Sequence, residues 1–456
     1  MILDSTRLEQ YYFEKICSIP HTSGNEKALS DYIVSIAQKY GHNYIQDEMY
    51  NVIVIIPPTP GYEEKEAIMI SGHMDMVGTK TGHSHFDFLN DPLHIYIDNG
   101  LLKAHETTLG ADDGIAISYM LALMSDSSYM HPRIECVFTV QEEIGCYGSH
   151  FIDLSSLTAK CMIGLDSVGE HQITVGNYCS DKIEIIHHYD TIQQKHTAYR
   201  LTLSGFNAPI VAAQPLSWID NAILYTMKWL YDCHHPFQIA HIQGGKAENM
   251  SPQECQIDII IDENTLSLLK NSIDPSLSLN IQEITIDAYL DSSSSEHLIE
   301  TVLEIPNGPL EVNQDMMLSS FLLGTIEFQQ GKLQIVGSSR CQNQFYNKKV
   351  IHLLQNQCHK SLSQMHIFPR YQSWEYQEHS PLKELFRELV KQHWHKDIEE
   401  KLCPGGLEIT DFIDKIPGLD VLSFGPLAGN FHVPGEWLDI ASFSRTYDLL
   451  KLLLEQ

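Results

Sequence analysis

Hydrophobic and polar residues follow two different periods along the first third of the chain. Apolar residues recur at helical spacing in three segments, which predict helices: LEQYYFEKICSI (8–19), EKALSDYIVSIAQKY (26–40) and DDGIAISYMLALMSD (112–126). Between them lie short, almost wholly apolar runs, which predict buried strands: NVIVII (51–56), AIMISGHMDMV (67–77), RIECVFTV (133–140) and AKCMIGLD (159–166). Strands that alternate with helices are typical of an α/β fold in which helices cover a mainly buried sheet.

The pattern changes near residue 181 and changes back near residue 372. Three segments alternate like half-exposed strands around one helix-like segment: KIEIIHHYD (182–190), AYRLTLSGF (198–206), ECQIDIIID (254–262) and the helical WIDNAILYTMKWLYDC (218–233). We therefore predict a smaller α+β domain over residues 181–371. Residues 1–180 and 372–456 would form one α/β domain, and DSSSSE (291–296) is predicted to be an exposed loop.

The charge and composition of the chain exclude two classes of partner. The 59 acidic and 29 basic residues give a formal charge of -30, and no Lys and Arg cluster is interleaved with aromatic residues. We expect no binding to nucleic acid and none to a membrane. No apolar segment approaches the ~18 to 20 residues of a membrane span, and the first ten residues lack an apolar signal core. The expectation is a soluble, cytoplasmic protein.

Acidic residues and histidines stand where the predicted strands end and where one helix begins. They are His73 and Asp75 on one strand, Asp112 and Asp113 before a helix, Glu142 and Glu143 after a strand, Asp166 after another strand, and His432 in the loop GNFHVPGE. Each feature has an ordinary explanation when taken alone, such as a helix cap, a solvated turn or a hydrogen-bonded histidine.

Taken together, these residues predict a centre for two metal ions. Burying several carboxylates without compensation costs many kcal/mol, and divalent cations supply that compensation. Imidazole nitrogens combined with carboxylate oxygens suit Zn²⁺, Mn²⁺ or Co²⁺. A bridging aspartate can hold two such ions ~3.5 to 4 Å apart.

The order of these motifs resembles the M20 family of dinuclear metallopeptidases. The motifs are His-x-Asp, Gly-Ala-Asp-Asp-Gly, Glu-Glu, Leu-Asp-Ser and a C-terminal His before Pro-x-Glu. Within the family the chain is most similar to the aminoacyl-histidine dipeptidases, also called cytosolic non-specific dipeptidases, through SGHMDMV, TVQEEIGCYGS, GGKAEN, GGLE and VLSFGP. The resemblance implies a catalytic domain with a mainly parallel mixed sheet between helices. It also implies a smaller α+β lid that often mediates homodimer formation.

The resemblance also implies a role for each site residue. His73, Asp112 and Asp166 would hold one divalent metal, and Asp112, Glu143 and His432 the other, with zinc preferred over manganese or cobalt. Asp75 would be a supporting carboxylate, and Glu142 the general base for a water between the metals. A small peptide substrate would meet Asn221, Asn249, Arg340 and Glu408. The peptide bond between Asp112 and Asp113 is expected to be cis, as in the family.

One segment departs from the family pattern. Similar dipeptidases carry a GGHSG turn, a second histidine and a GRANA-like helix start, and the lid histidine helps to stabilise the oxyanion. This chain reads SGFNAPIVAAQPLSWIDNAI, with Ile210 at the turn histidine, Leu216 at the second histidine and Ile219 at the arginine. Pro404 also stands where relatives usually have histidine. Loss of one oxyanion donor can cost ~10²- to 10³-fold in turnover, so reduced activity is one expectation.

Three functions remain open from the sequence. The first is a metal-dependent dipeptidase that acts on short peptides with free N-termini. The second is an M20 amidohydrolase that acts on N-acyl amino acids, and the third is a metal-binding protein that no longer turns over. Glu142 and the complete ligand set favour an enzyme, because a purely structural metal site needs no free base. The altered lid favours the third function.

Overall fold

The chain divides into two units in the computed structural model, which describes residues 2–206, 221–313 and 316–456. The first unit comprises Met1–Gly176, Trp374–Cys403 and Leu407–Gln456, and the second comprises Asn177–Ser373 and Pro404–Gly406. The lid replacements Ile210, Leu216 and Ile219 lie outside the described residues. The lid and dimerisation roles of residues 181–371 stay predictions.

The first unit contains helices and strands from both ends of the chain, numbered here along the whole sequence. Its helices are α1 (Leu8–Ile16), α2 (Lys27–Tyr40), α3 (Ala111–Ser125), α4 (Tyr147–Phe151), α9 (Pro381–Trp394), α10 (Ile409–Lys415) and α11 (Ile440–Leu454). Its strands are β1 (Asn43–Gln46), β2 (Val52–Ile56), β3 (Ile68–His73), β4 (Ile95–Asp98), β5 (Leu101–Ala104), β6 (Ile134–Thr139), β7 (Cys161–Gly164), β8 (Gln172–Asn177), β18 (Glu399–Cys403), β19 (Asp420–Ser423), β20 (Ala428–Gly429) and β21 (Trp437–Asp439).

A mixed eight-stranded sheet forms the centre of this unit, in the order β1-β2-β6-β3-β7-β19-β8-β18. The four central strands β6, β3, β7 and β19 are parallel, whereas β1, β2 and β8 pair antiparallel with their neighbours. Every residue of β6 is buried, as expected for a strand that is covered on both faces. The predicted α/β fold class with a mixed sheet between helices is confirmed.

Helix α3 packs closely against the central strand β3. It is apolar on nearly all sides, and Tyr119 at its middle stacks on Phe443 of α11 with ring centroids 4.8 Å apart. A Cβ atom built on Gly72 would lie 2.2 Å from the Cβ of Ala116, so glycine is needed where α3 approaches β3. This close approach brings the start of α3 beside the end of β3.

A small antiparallel sheet joins the C-terminal region to the segment before α3. Its order is β20-β21-β5-β4, and Leu438 of β21 pairs with Leu102 of β5. His432 lies in the turn between β20 and β21, and Asp112 follows β5 by a short loop. Residues that are 320 positions apart in sequence therefore meet at one place.

The second unit is an α+β unit. Its strands are β9 (Ser180–His188), β10 (Ile192–Ser204), β11 (Gln238–Gly244), β12 (Glu254–Ile260), β13 (Ser278–Tyr289), β14 (Gly308–Asn313), β15 (Met316–Gln329), β16 (Lys332–Cys341) and β17 (Gln364–Tyr371). They form an antiparallel sheet in the order β13-β10-β12-β11-β15-β16-β9-β17, with β14 beside β15. The helices are α5 (Ala222–Tyr231), α6 (Glu263–Ser272), α7 (Ser292–Leu303) and α8 (Gln344–Lys360).

The prediction of a loop at DSSSSE is wrong, because this segment begins helix α7. Asp291 is the N-cap, and its side chain accepts a hydrogen bond from the Ser294 backbone N–H. Ser295 is fully buried, and its hydroxyl donates to the Asp291 carbonyl. An aspartate followed by serines therefore starts a helix here rather than leaving the chain irregular.

Two further features concern the cysteines and the lengths of the helices. All ten cysteines are free thiols. Among the residues that the structure describes, no helix has both the length and the apolar run needed to cross a membrane.

The buried side chain of Asn221 caps α5, so its replacement should destabilise the protein. The amide oxygen accepts from the Ile223 and Leu224 backbone N–H groups, and the amide nitrogen donates to the Leu323 carbonyl at 2.9 Å. Asn221→Ala removes the cap and leaves that carbonyl without its donor. We expect the free energy of unfolding to fall by about 1 to 3 kcal/mol.

The measurement is urea unfolding of the parent and of two variants. Asn221→Ser is the matched control, since a serine hydroxyl can still accept at the N-cap while the amide donor to Leu323 is lost, so its loss should be smaller than that of the alanine variant. Equal stability of Asn221→Ala and the parent would contradict the capping role.

Candidate metal centre

Three parallel strands end at one edge of the first unit's sheet and carry candidate ligands there. In the register of β3 with β6, His73 lies opposite Thr139, so the strand that leads to Glu142 and Glu143 ends beside it. In the register of β3 with β7, Ser71 lies opposite Gly164. Continuing both strands by two residues places Asp166 beside His73.

The structure brings the predicted ligands together as two overlapping groups. The first is His73, Asp112 and Asp166, and the second is Asp112, Glu143 and His432, with the ligand atoms of each group within 4.8 Å of one another. His73 Nε2 lies 2.9 Å from Asp112 Oδ1, and His432 Nε2 lies 3.3 Å from Asp112 Oδ2. Asp112 therefore presents one oxygen to each group, which is the arrangement of a bridging carboxylate.

Asp75 supports both the histidine and the glutamate pair. The ring nitrogen Nδ1 of His73 lies 2.9 Å from the Asp75 backbone carbonyl and 3.5 Å from Asp75 Oδ1, which leaves Nε2 facing Asp112. The Asp75 carboxylate also accepts the backbone N–H groups of Glu142 at 2.9 Å and Glu143 at 3.2 Å. One buried carboxylate thus aligns two neighbouring strand ends.

Glu436 is a further buried carboxylate that sequence reasoning did not assign. Its two oxygens accept the backbone N–H groups of Leu109 at 2.8 Å, Gly110 at 3.1 Å and Ala111 at 2.8 Å. These groups belong to the loop that presents Asp112. The signal was available as the Pro-x-Glu that follows His432, but only the fold shows which amides it meets.

The carboxylates of the site are buried close to one another, and this disfavours their ionised forms. Burial and the charge of Asp112 raise the pKa of Asp166 to about 8. Burial, together with the charge of Asp166, raises the pKa of Glu142 well above its ordinary value. Burial also raises the pKa of Glu143, although the nearby imidazole of His432 opposes this. Positive charge placed among these groups would favour their ionised forms.

Asp112 differs from the other carboxylates because two imidazoles contact it. Burial acts to raise its pKa, but hydrogen bonds from His432 and His73 outweigh burial and hold the pKa below its usual range. The same contacts with Asp112 and Glu143 raise the pKa of His432 to about 10. Asp112 is thus the carboxylate that remains ionised most easily at the centre of the cluster.

The donor set fits divalent cations. Glu143 Oε1 is buried and accepts no hydrogen bond from the described part of the chain, although His432 Nε2 lies 2.9 Å away. A short approach without hydrogen-bond geometry is expected of two ligands that share one ion. Two nitrogen and three carboxylate ligands also match the mixture that zinc, manganese and cobalt accept.

Glu142 belongs to neither ligand group. Its Oε1 lies 3.3 Å from the Cys146 thiol, which donates to it. Gln141, the residue before it, has a φ of 55°, so the backbone turns sharply between the end of β6 and the glutamate pair. The two neighbouring glutamates consequently make different contacts.

The backbone at the helix start also agrees with the sequence. The peptide bond between Asp112 and Asp113 is cis, so this prediction is confirmed.

Comparison with known sequences decides the family. The sequence profile of Peptidase family M20/M25/M40 matches residues 69–456. The chain belongs to this family. It is accordingly a hydrolytic enzyme, and the resemblance read from the motifs is confirmed.

Two relatives and a more distant structure illustrate the similarity of this M20 chain. It is 27% identical to the cytosol non-specific dipeptidase of Escherichia coli (strain K12), over 97% of this chain and 96% of that protein. Aminoacylhistidine dipeptidase from Vibrio alginolyticus superposes with a TM-score of 0.80 at 24% identity, covering 99% of this chain and 97% of that chain. A dinuclear metal-binding M20 peptidase of Bacillus subtilis has a TM-score of 0.52 at 11% identity, covering 98% and 96%. These structures share the M20 fold.

Glu408 lies within the same unit as the metal centre of this M20 enzyme. It is buried with 3% exposure, and its Oε2 accepts a hydrogen bond of 2.5 Å from the Thr139 hydroxyl at the end of β6. Burial raises its pKa to about 7. Its contact with Thr139 supports the strand that leads to the glutamate pair, and a substrate contact stays a prediction.

The other three substrate candidates lie in the second unit. Asn221 caps α5 with its buried amide, as described above. Asn249 is exposed in the turn after β11. Arg340 lies on β16, where its Nη1 donates to the Pro404 carbonyl at 3.0 Å. Their roles toward a substrate stay predictions.

We expect two divalent ions per chain, because Asp112 offers one oxygen to each ligand group. Asp112→Ala should therefore lower the content of both ions, whereas His432→Ala should mainly weaken one. Elemental analysis after reconstitution checks this. Asp397→Asn, which changes an exposed carboxylate that pairs with Lys391, is the control and should retain both ions. One ion or fewer in the reconstituted parent would exclude a dinuclear centre.

Metal removal should lower the melting temperature, and more strongly at higher pH. In the metal-free chain the pKa of Asp166, about 8, lies above its ordinary value of 3.8. The folded state then binds this proton more tightly than the unfolded state, so stability falls as the pH rises from about 4 to about 8. Calorimetry with and without a chelator at pH 6 and pH 8 measures the effect.

Asp166→Asn should have opposite effects on the melting temperature of the metal-free protein and of the metal-loaded protein. In the metal-free protein at pH 8 it removes a repelling charge and should raise the melting temperature above that of the metal-free parent. In the metal-loaded protein it removes a ligand and should reduce the stabilisation by metal. A metal-free variant that melts below the metal-free parent at pH 8 would contradict the charge argument.

Proposed function

We propose that this M20 enzyme hydrolyses dipeptides or short peptides with a free N-terminus, using two divalent metal ions and Glu142 as the general base. One observation carries the proposal: two ligand groups share Asp112, and Glu142 lies next to a ligand without belonging to either group. The relative from Escherichia coli, which aligns over 97% of the chain, is named a dipeptidase.

Glu142, Cys146 and Asp75 have different roles in the proposed hydrolysis. Glu142 takes a proton from the attacking water at a carboxylate oxygen and passes it to the departing amine. The Cys146 thiol donates to Oε1, which orients the carboxylate. Asp75 fixes the backbone of Glu142 and the ring of His73, so the base and the first ligand group keep a constant separation.

His73, Asp112 and Asp166 would hold one ion, and Asp112, Glu143 and His432 the other. When bound, two cations polarise the scissile carbonyl and lower the pKa of a coordinated water to near neutrality. Zinc is our proposed metal, since imidazole and carboxylate ligands suit it, with manganese and cobalt as alternatives.

The two other functions read from the sequence are not favoured. A metal-binding protein without turnover would not need a carboxylate beside the ligands, and Glu142 is retained here. The Escherichia coli and Vibrio alginolyticus relatives, which align over nearly the whole chain, are named dipeptidases rather than N-acyl amidohydrolases. The name of the Escherichia coli relative places that protein in the cytosol, and we extend a cytoplasmic location to this chain. A homodimer formed through residues 181–371 is also part of the proposal.

A substrate panel on the metal-reconstituted enzyme tests this function. Dipeptides with a free N-terminus should be hydrolysed, and the same dipeptides with an acetylated N-terminus should be cleaved much more slowly. A preference for the acetylated compounds would favour the amidohydrolase, and no hydrolysis of any amide would remove the proposal.

Glu142→Gln is the mechanistic control for the panel. Glutamine keeps the size of the side chain but cannot accept the proton, so kcat should fall by about 10²- to 10⁴-fold. Metal content should match that of the parent, because Glu142 belongs to neither ligand group. A variant as active as the parent would show that another group is the base.

A further inference from the structure

Four consecutive backbone N–H groups after β6 are held by side chains. The Val140 N–H donates to Asn51 Oδ1 at 3.0 Å, and the Gln141 N–H donates to Glu26 Oε1 at 3.1 Å. The N–H groups of Glu142 and Glu143 donate to the Asp75 carboxylate, as described above. We call Glu26, Asn51 and Asp75 the amide cradle.

The cradle acts on a strained piece of backbone. Gln141 has a φ of 55°, in the left-handed region that residues other than glycine enter at a cost of roughly 1 kcal/mol or more. Hydrogen bonds from consecutive amides to side-chain acceptors can hold such a turn, because they fix the orientation of several peptide groups. The direction in which the Glu142 side chain leaves the backbone depends on this turn.

Glu26 is the cradle member most specific to the turn. It is the N-cap residue of α2, yet its side chain makes no capping hydrogen bond to that helix. Its Oε1 instead accepts from the Gly24 N–H at 2.9 Å and from Gln141. Asn51, by contrast, also contacts Asp47 and Gly148, so it supports several segments.

We infer that Glu26 is a positioning residue for the catalytic base. Its buried carboxylate holds the Gln141 amide and thereby keeps the turn in the conformation that directs Glu142 toward the metal centre. The residue precedes position 69, where the match to the family profile begins. The inference rests on the proposed role of Glu142 and extends the active site into the N-terminal segment.

The test compares the metal-loaded full chain with four variants. Glu26→Ala removes the acceptor, Glu26→Gln keeps an oxygen that can still accept from Gln141, and Glu26→Ala is also combined with Gln141→Gly. Glu9→Ala is the matched control. Glu9 is a buried carboxylate of α1 that contacts Arg7 and Ser444, away from the turn. Each variant is assayed for kcat, KM, metal content and hydrogen exchange of the amides at 140–143.

We expect Glu26→Ala to lower kcat by about 10- to 100-fold, because a misdirected base loses alignment with the substrate while KM and metal content stay unchanged. The amides at 140–143 should exchange faster. Glu26→Gln should keep most of the parent's kcat. Adding Gln141→Gly to Glu26→Ala should recover part of it, since glycine adopts the left-handed region without the steric cost. Glu9→Ala should change neither kcat nor the exchange of these amides.

Two results would overturn the inference. One is a kcat of Glu26→Ala within about twofold of the parent, with unchanged amide exchange. The other is a loss of kcat that neither the glutamine nor the glycine substitution reduces, because a general structural defect would behave in this way. Glu142→Gln is run in parallel. If that variant stays fully active, the proposed role of Glu142 as the base fails, whereas the exchange data still report whether Glu26 holds the turn.

Discussion

Charge compensation at the ends of the parallel strands is the constraint on which this structure depends. Parallel strands must end at the same edge of a sheet, so the residues that follow β3, β6 and β7 meet. Here those residues are largely carboxylates, and the start of α3 adds Asp112. Burial, together with their mutual repulsion, raises the pKa of Asp166 and of Glu142. The edge of the sheet is therefore a place where cations are favoured.

The ligands are positioned largely through backbone amides. Asp75 and Glu436 lie behind the site, and their carboxylates accept N–H groups from the segments that carry Glu143 and Asp112. Hydrogen bonds to ionised acceptors are stronger than neutral ones, and buried acceptors are not weakened by competing water. Asp75 and Glu436 thus hold the segments that carry Glu143 and Asp112, although they also add negative charge near the candidate ligands.

The adjacent glutamates show how a single turn gives two neighbouring carboxylates different contacts. Glu143 faces His432 and Asp112, whereas Glu142 contacts the Cys146 thiol and lies outside both ligand groups. Gln141 precedes them with a φ of 55° and its amide is held by a hydrogen bond, so that Glu143 joins one ligand group and Glu142 lies outside both.

Much of this protein could be derived from its sequence, because the signals are local. Apolar runs marked the strands β2, β3, β6 and β7, and helical spacing marked α1, α2 and α3, since burial imposes those periods on the chain. The sequence motifs also contained the residues of both ligand groups, which the fold brings together. The prediction of a loop at DSSSSE was wrong, because this segment starts a helix whose N-cap is Asp291.

The remaining features are decided only by the tertiary structure. Glu436 meets Leu109 across 327 positions, and Glu26 meets Gln141 across 115. No period or local motif encodes such pairs, because each acid looks like an ordinary surface or capping residue until the fold supplies its partner. Asn221 shows the same effect, since only the second unit's packing reveals that its amide is engaged with α5 and Leu323. Sequence determines which residues can do chemistry, and long-range packing decides which backbone each buried polar side chain must satisfy.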